Sequence, residues 1–268
     1  MGEPVEPVIE GSASKVSTGQ GRRPLVAVGQ KSYLTYADTL AWLDAAVGTA
    51  QEFADRVDVV VFPVAPALPV AVRVSRGLFQ VGAQDVSDQP PGAYTGELPA
   101  ALLREIGVTH VEIGHAERRF LFGEHPDVTA RKTAMAVQNG LTPLICVGEG
   151  GLGESTPVPV DEAVRETSYQ LESLLPTLSP DLPFVVAYEP VWAIGAEHPA
   201  PVEHVRVVID GLRHALAGYR TARVIYGGTA GPGLFAELSG VTDGLFLGRR
   251  AHDPSAFAAV LAEVASGS

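Results

Sequence analysis

A chain of 268 residues, 46% hydrophobic and 19% charged, carries enough apolar material for one sizeable core and falls within the length range of a single α/β barrel. Its formal net charge of −12 argues against nucleic acid or an anionic membrane as a partner, because a polyanion is repelled at long range; a small anion held by local backbone dipoles is not excluded. The lone cysteine, Cys146, rules out an intrachain disulfide framework, and no run approaches the ~20 apolar residues of a membrane span, so a cytoplasmic location is expected.

Residues 1–23 are rich in Gly, Ser, Pro and Glu and lack the apolar segment of a signal peptide; they read as a mobile leader before one barrel domain over 24–268. From there, short apolar runs alternate with longer amphipathic segments. In chain order the runs are Leu25–Gly29, 57–63, 78–84, 108–114, 141–147, 184–189, 222–226 and 244–248. Helical stretches lie between them, among them 37–53, 129–139, 161–175 and 202–217; in the last, Val205, Val208, Ile209 and Leu212 recur at helical spacing. Asp253 before Pro254 reads as an N-cap followed by proline at the first helical position, opening a final helix. Continuous apolar strands alternating with helices imply a parallel sheet covered by helices. Eight such units favour an α/β, (β/α)8 barrel of one domain over an open doubly wound sheet. Gly and polar residues collect after the strands, which in a barrel is the carboxyl-end face where chemistry is built.

Four groups of residues at strand ends stand out. The first closes on Gly29-Gln30-Lys31, where alternation puts Gly29 and Lys31 on one side and Gln30 on the other. Lys31 then faces a bound anion or, more simply, is a solvated cap. The second is Val111 to Arg119. His115 follows a glycine where a short helix begins, and a helix N-terminus disfavours imidazolium, which suits a neutral hydrogen-bond donor; the plainer reading is a charged surface turn. The third is Tyr188 to Gly195. A carboxylate ending an apolar strand, Glu189, is partly desolvated and so a stronger base, and the loop carrying Val191, Trp192 and Ile194 is too apolar to stay solvated. That loop either packs down permanently or closes over a ligand, with Pro190 and Gly195 as hinges. The fourth combines Gly227-Gly228-Thr229 with Gly248-Arg249; glycines here let backbone N–H groups approach a phosphate, although a lone Gly-Gly pair usually marks a turn.

Taken together, VEIGHAERR around His115 and YEPVWAIG around Glu189 resemble the triosephosphate isomerase family. GAQ at 82–84, GAYTGE at 92–97, CVGE at 146–149 and YGG at 226–228 support the resemblance, which runs from about Leu25 to the last helix. It implies the barrel fold and a proton transfer in a small phosphorylated sugar through an enediolate. Glu189 would be the base, His115 the neutral electrophile, Lys31 the cation stabilising enediolate and phosphate, and Glu117 the second carboxylate. The loop 190–196 would be a lid whose Gly195 N–H meets the phosphate, and Gly228, Thr229 and Gly248 would complete the phosphate cradle. No metal or organic cofactor is implied. The loop from Gly92 to Glu97 would form a homodimer and carry Thr95 to the partner's active site.

The chain departs from the family pattern at several points. Gly29 stands where the family has Asn, Arg249 where it has a second Gly, Ala116 and Thr229 where it has Ser, and Ala196-Glu197-His198 where it has Thr-Gly-Lys. Three readings follow. The family default is interconversion of dihydroxyacetone phosphate and glyceraldehyde 3-phosphate. The alternative is the same transfer on a four-carbon ketose phosphate such as erythrulose phosphate, with Gly29 making room and Arg249 reading the far end, since losing a site's hydrogen-bond donor shifts discrimination. The third is a catalytically silent phosphate-sugar-binding barrel, against which the retention of Lys31, His115 and Glu189 argues.

Overall fold

The computed structural model describes residues 22–267. All eight apolar runs form strands: β1 (Leu25–Gly29), β2 (Asp58–Phe62), β3 (Gln80–Ala83), β4 (His110–Ile113), β5 (Thr142–Val147), β6 (Val185–Tyr188), β7 (Arg223–Tyr226) and β8 (Gly244–Leu247). Each pairs in parallel with its sequence neighbours, and β8 pairs with β1, so the sheet closes into a barrel and the open-sheet alternative is discarded.

Alternate residues on each strand face two different apolar environments, which is why the runs are apolar throughout rather than alternating. Leu25, Ala27, Val60, Phe62, Leu144, Cys146, Val185, Ala187, Ile225 and Phe246 fill the barrel interior. Their neighbours, such as Val26, Val28, Val61, Ile145 and Val186, pack outward beneath the helices. Inside, large side chains sit beside small ones; Phe62 and Phe246 lie with ring centroids 5.8 Å apart, and Ala27 is the register partner of Phe246 on the adjoining strand.

The longer helices cover the barrel as the apolar spacing requires. Tyr36–Phe53, Pro126–Gln138, Val160–Glu172 and Val202–Ala215 match the four expected stretches, and Val205, Val208, Ile209 and Leu212 form the buried stripe of the last. The final helix, Pro254–Ser266, is capped by Asp253, whose side chain accepts the Ser255 N–H at 2.9 Å. Residues 1–21 of the expected leader lie outside the described residues. Its last two positions need correction: Arg23 donates to the Ala54 carbonyl at 2.6 Å and pairs with Asp58, and Arg22 donates to the Thr221 carbonyl at 3.1 Å, so order begins at least at residue 22. Among the described residues, no helix is long and apolar enough to cross a membrane.

Candidate active site

The carboxyl ends of the strands surround a cavity of about 630 Å³. All nine candidate residues line it: Lys31, His115, Glu117, Glu189, Gly195, Gly228, Thr229, Gly248 and Arg249. They come from the ends of five strands, β1, β4, β6, β7 and β8, and reach one space because the barrel closes.

Lys31 follows β1 with its backbone in the left-handed region, φ 48°, a strained conformation for a residue with a side chain. The strand therefore stops at Gly29, and simple alternation does not carry on to Lys31 as expected, although both residues do reach the cavity. The Lys31 Nζ lies 2.7 Å from Glu117 Oε1. Burial acts to lower the Lys31 pKa, but the hydrogen-bonded Glu117 and the charge of Glu189 outweigh it, and the ammonium is held charged.

His115 caps the helix Ala116–Leu121. Its Nδ1 accepts the Glu117 N–H at 3.1 Å, so the ring proton of the neutral form resides on Nε2. Burial, then the charges of Lys31, Arg119 and Arg118, lowers its pKa to about 3. Nε2 points to Glu189, 3.6 Å from Oε2. The imidazole is thus a neutral donor facing the carboxylate across the space where a ligand would sit.

Glu189 follows β6, tied by its N–H to the Val147 carbonyl at 2.8 Å. Its side chain is buried, and desolvation raises its pKa to about 7 against the opposing pull of Lys31 and Arg119. It lies so close to the end of β7 that a Cβ on Gly227 would come within 2.7 Å of its Cγ, and only glycine fits there.

The segment after Glu189 is pinned at both ends and exposed at its tip. Val191–Ala193 forms a buried turn, and Trp192 Nε1 donates to Glu149 Oε1 at 2.9 Å. Glu149 also accepts from the Tyr188 hydroxyl at 3.1 Å and lies 3.2 Å from His204 Nε2. Ala200 N–H donates to the Tyr226 hydroxyl at 3.0 Å. Between these anchors, Gly195, Glu197 and His198 are exposed, and Gly195 takes φ 74°. The Thr229 hydroxyl donates to the Ala193 and Ala196 carbonyls at 2.8 and 3.1 Å, so its proton holds this loop and its N–H is what remains for a ligand.

The Arg249 guanidinium stacks over Tyr33 at 5.4 Å, and its Nη2 lies 3.0 Å from where a Cβ on Gly195 would sit, which places it beside the lid glycine. It makes no ion pair with a described residue. Gly29 needs qualification, because the ring of Phe246 takes up part of the space expected beside it: a Cβ there would meet Phe246 at 3.0 and 3.1 Å. Among the cavity residues given no role from the sequence are Tyr33, Glu112 and Phe246. An interior-facing acid two positions before Gly114, in an otherwise apolar strand, was the available signal for Glu112. The loop from Gly92 to Glu97 is exposed along its length.

The triosephosphate isomerase family model matches residues 24–264. An L-erythrulose-1-phosphate isomerase of Pectobacterium atrosepticum is 43% identical over 90% of this chain and 96% of its own. A probable triosephosphate isomerase 2 of Listeria monocytogenes is 34% identical over 91% of this chain and 98% of its own, and a triosephosphate isomerase of Rhodococcus jostii is 34% identical over 92% and 98%. With its closed barrel and full-length match, the chain belongs to the triosephosphate isomerase family and is an isomerase.

Proposed function

We propose that this isomerase acts on a four-carbon ketose phosphate, L-erythrulose 1-phosphate, in preference to the triose phosphates that the motifs alone put first. The observation that carries this reading is the 43% identity to a relative named for that substrate, against 34% to those named for triose phosphates. The substitutions Gly29 and Arg249 fall in the cavity itself, where a change of substrate has to be accommodated.

The chemistry follows from the groups present. In L-erythrulose 1-phosphate the carbonyl is C2, and C3 carries a hydroxyl and a hydroxymethyl. Glu189 removes the C3 proton, and electrons move into a C2–C3 enediolate. His115 Nε2–H donates to the oxygens at C2 and C3, and the Lys31 ammonium, oriented by Glu117, stabilises their negative charge. Glu189 returns the proton to C2, which leaves the carbonyl on C3. The product is the isomeric ketose phosphate with the phosphate at the other end of the numbering. Every atom is conserved, so no redox partner or leaving group is required. The lid N–H of Gly195, the N–H of Thr229, Gly228, Gly248 and the Arg249 guanidinium hold the phosphate. Lid closure keeps water from the enediolate and opposes loss of phosphate from it. The active unit is a homodimer formed through the loop from Gly92 to Glu97.

Steady-state assays on both substrates test the proposal. A kcat/KM for L-erythrulose 1-phosphate at least ~100-fold above that for dihydroxyacetone phosphate is expected, a margin that pocket hydrogen bonding can supply. The reverse order restores the triose reading. Binding of both sugars without solvent deuterium exchange into either would leave the silent barrel.

A further inference from the structure

Buried carboxylates in this protein fall into two kinds. Glu124 lies between Arg118, at 2.6 Å, and Lys132, and Glu149 is surrounded by Tyr188, Trp192 and His204. Their structural roles are clear from those partners. Glu112 is different. It is 7% exposed, it lies on β4 three residues before His115, and among the described residues its one side-chain hydrogen bond is from the Cys146 thiol at 3.9 Å. A thiol is a weak donor, and a carboxyl group placed among apolar side chains is costly unless its hydrogen-bonding capacity is used. The nearby barrel interior is otherwise apolar, with Phe62, Phe246, Ala27 and Cys146. Glu112 nevertheless lines the cavity together with Gly29, Phe246, Lys31, His115 and Glu189.

We propose that Glu112 is the residue that distinguishes a four-carbon from a three-carbon substrate, by hydrogen-bonding the hydroxymethyl group that the longer sugar carries on its reacting carbon. This role rests on the tetrulose-phosphate reading above. The extra group is attached to C3, on the opposite side of the carbonyl from the phosphate. With the phosphate at the mouth, against Gly195, Gly248 and Arg249, the C3 substituent points down to the barrel floor. There Gly29 carries no side chain, Phe246 supplies an apolar wall, and the carboxyl of Glu112 offers the polar contact. Burial and the neighbouring Glu189 push the Glu112 pKa well up, which favours its protonated form. In that form it both donates and accepts, which matches a hydroxyl group, and it adds no second negative charge beside the enediolate.

The test compares kcat/KM for L-erythrulose 1-phosphate and dihydroxyacetone phosphate in the wild-type enzyme and in Glu112→Met, Glu112→Val and Glu112→Gln. Met and Val remove the polar edge, and each is read as the ratio of the two substrates, so failure of one to fold leaves the other. The expected result is a ratio that falls about 100-fold in Met or Val, with Gln, which keeps a donor and an acceptor, recovering most of it. A merely structural glutamate would lower both substrates together and leave the ratio unchanged, and that result overturns the proposal. Tetrose turnover in the wild type with an unchanged ratio in the variants removes the role of Glu112 alone. Absence of tetrose turnover in the wild type removes the functional reading and this role with it.

Discussion

Glu189 and His115 have opposite charge preferences from ordinary side chains because both are buried at strand ends that face one another. Desolvation raises Glu189 to about 7 and lowers His115 to about 3. The base must be ionised to accept a proton, so kcat/KM should rise with pH up to about 7 and level above it. Below ~6 the slope should steepen, since a phosphate monoester's second ionisation adds to it. His115 stays neutral from pH 5 to 9 and contributes no limb in that range. A profile flat between pH 5.5 and 8 would count against Glu189 as the base. The identity of these residues and the direction of each state were readable from the motifs and from their places at strand ends; the size of each shift was not, because it depends on groups distant in the chain. The same holds at position 29. The absence of a side chain is visible in the sequence, but the Phe246 ring that takes up the adjoining volume comes from β8, and no local pattern points to it.

At the level of elements, strands and long helices were readable because each is long enough to display its period, with apolar runs for strands buried on both faces and a 3.6-residue stripe for helices. The short helices Leu68–Ser75, Ala100–Glu105, Ala116–Leu121 and Leu234–Glu237 span too few turns to do so, apart from the one suggested by the position of His115. The lid illustrates the division. Its apolar content is evident in the sequence, yet its two outcomes, packed or closing, were both open. In the structure Trp192 is packed and the tip at Gly195 is exposed, so the loop is anchored at Trp192 with its tip in solvent. Glu149 is the anchor. Burial acts to raise its pKa, but His204 and Trp192 outweigh this and keep it charged. Glu149→Gln replaces a charged acceptor of three donors with a neutral amide that must also place two N–H groups in the same space. The lid should loosen, with kcat lower by about tenfold and more inorganic phosphate released per turnover as the exposed enediolate eliminates it. Phosphate release at the wild-type ratio would show that the Trp192 contact does not govern closure.

For the whole molecule, eight units in chain order were enough to infer closure, because a parallel sheet of eight with helices outside has one common closed solution. The distances within the site were not readable, since they follow from the barrel's circumference rather than from any segment. Assembly belongs to this scale. The loop from Gly92 to Glu97 projects from the carboxyl-end face, exposed throughout, and Tyr94 is 44% exposed at its centre. Phe120, Leu121 and Phe122 are 50 to 66% exposed at the end of the helix Ala116–Leu121. Large apolar side chains gathered on the catalytic face cost solvation in a monomer and are the usual material of a subunit interface, which needs roughly 800 Å² from each partner. Light scattering should therefore give twice the 28.0 kDa chain mass. If the proposed dimer forms through this loop, replacing residues 93–96 with a short Gly-Ser turn should halve that mass and lower kcat/KM by ~10-fold or more, because Thr95 would no longer reach the partner's active site. A wild-type monomer at micromolar concentration with full turnover would separate the catalytic constellation from any partner and confine the dimer expectation to the family resemblance alone.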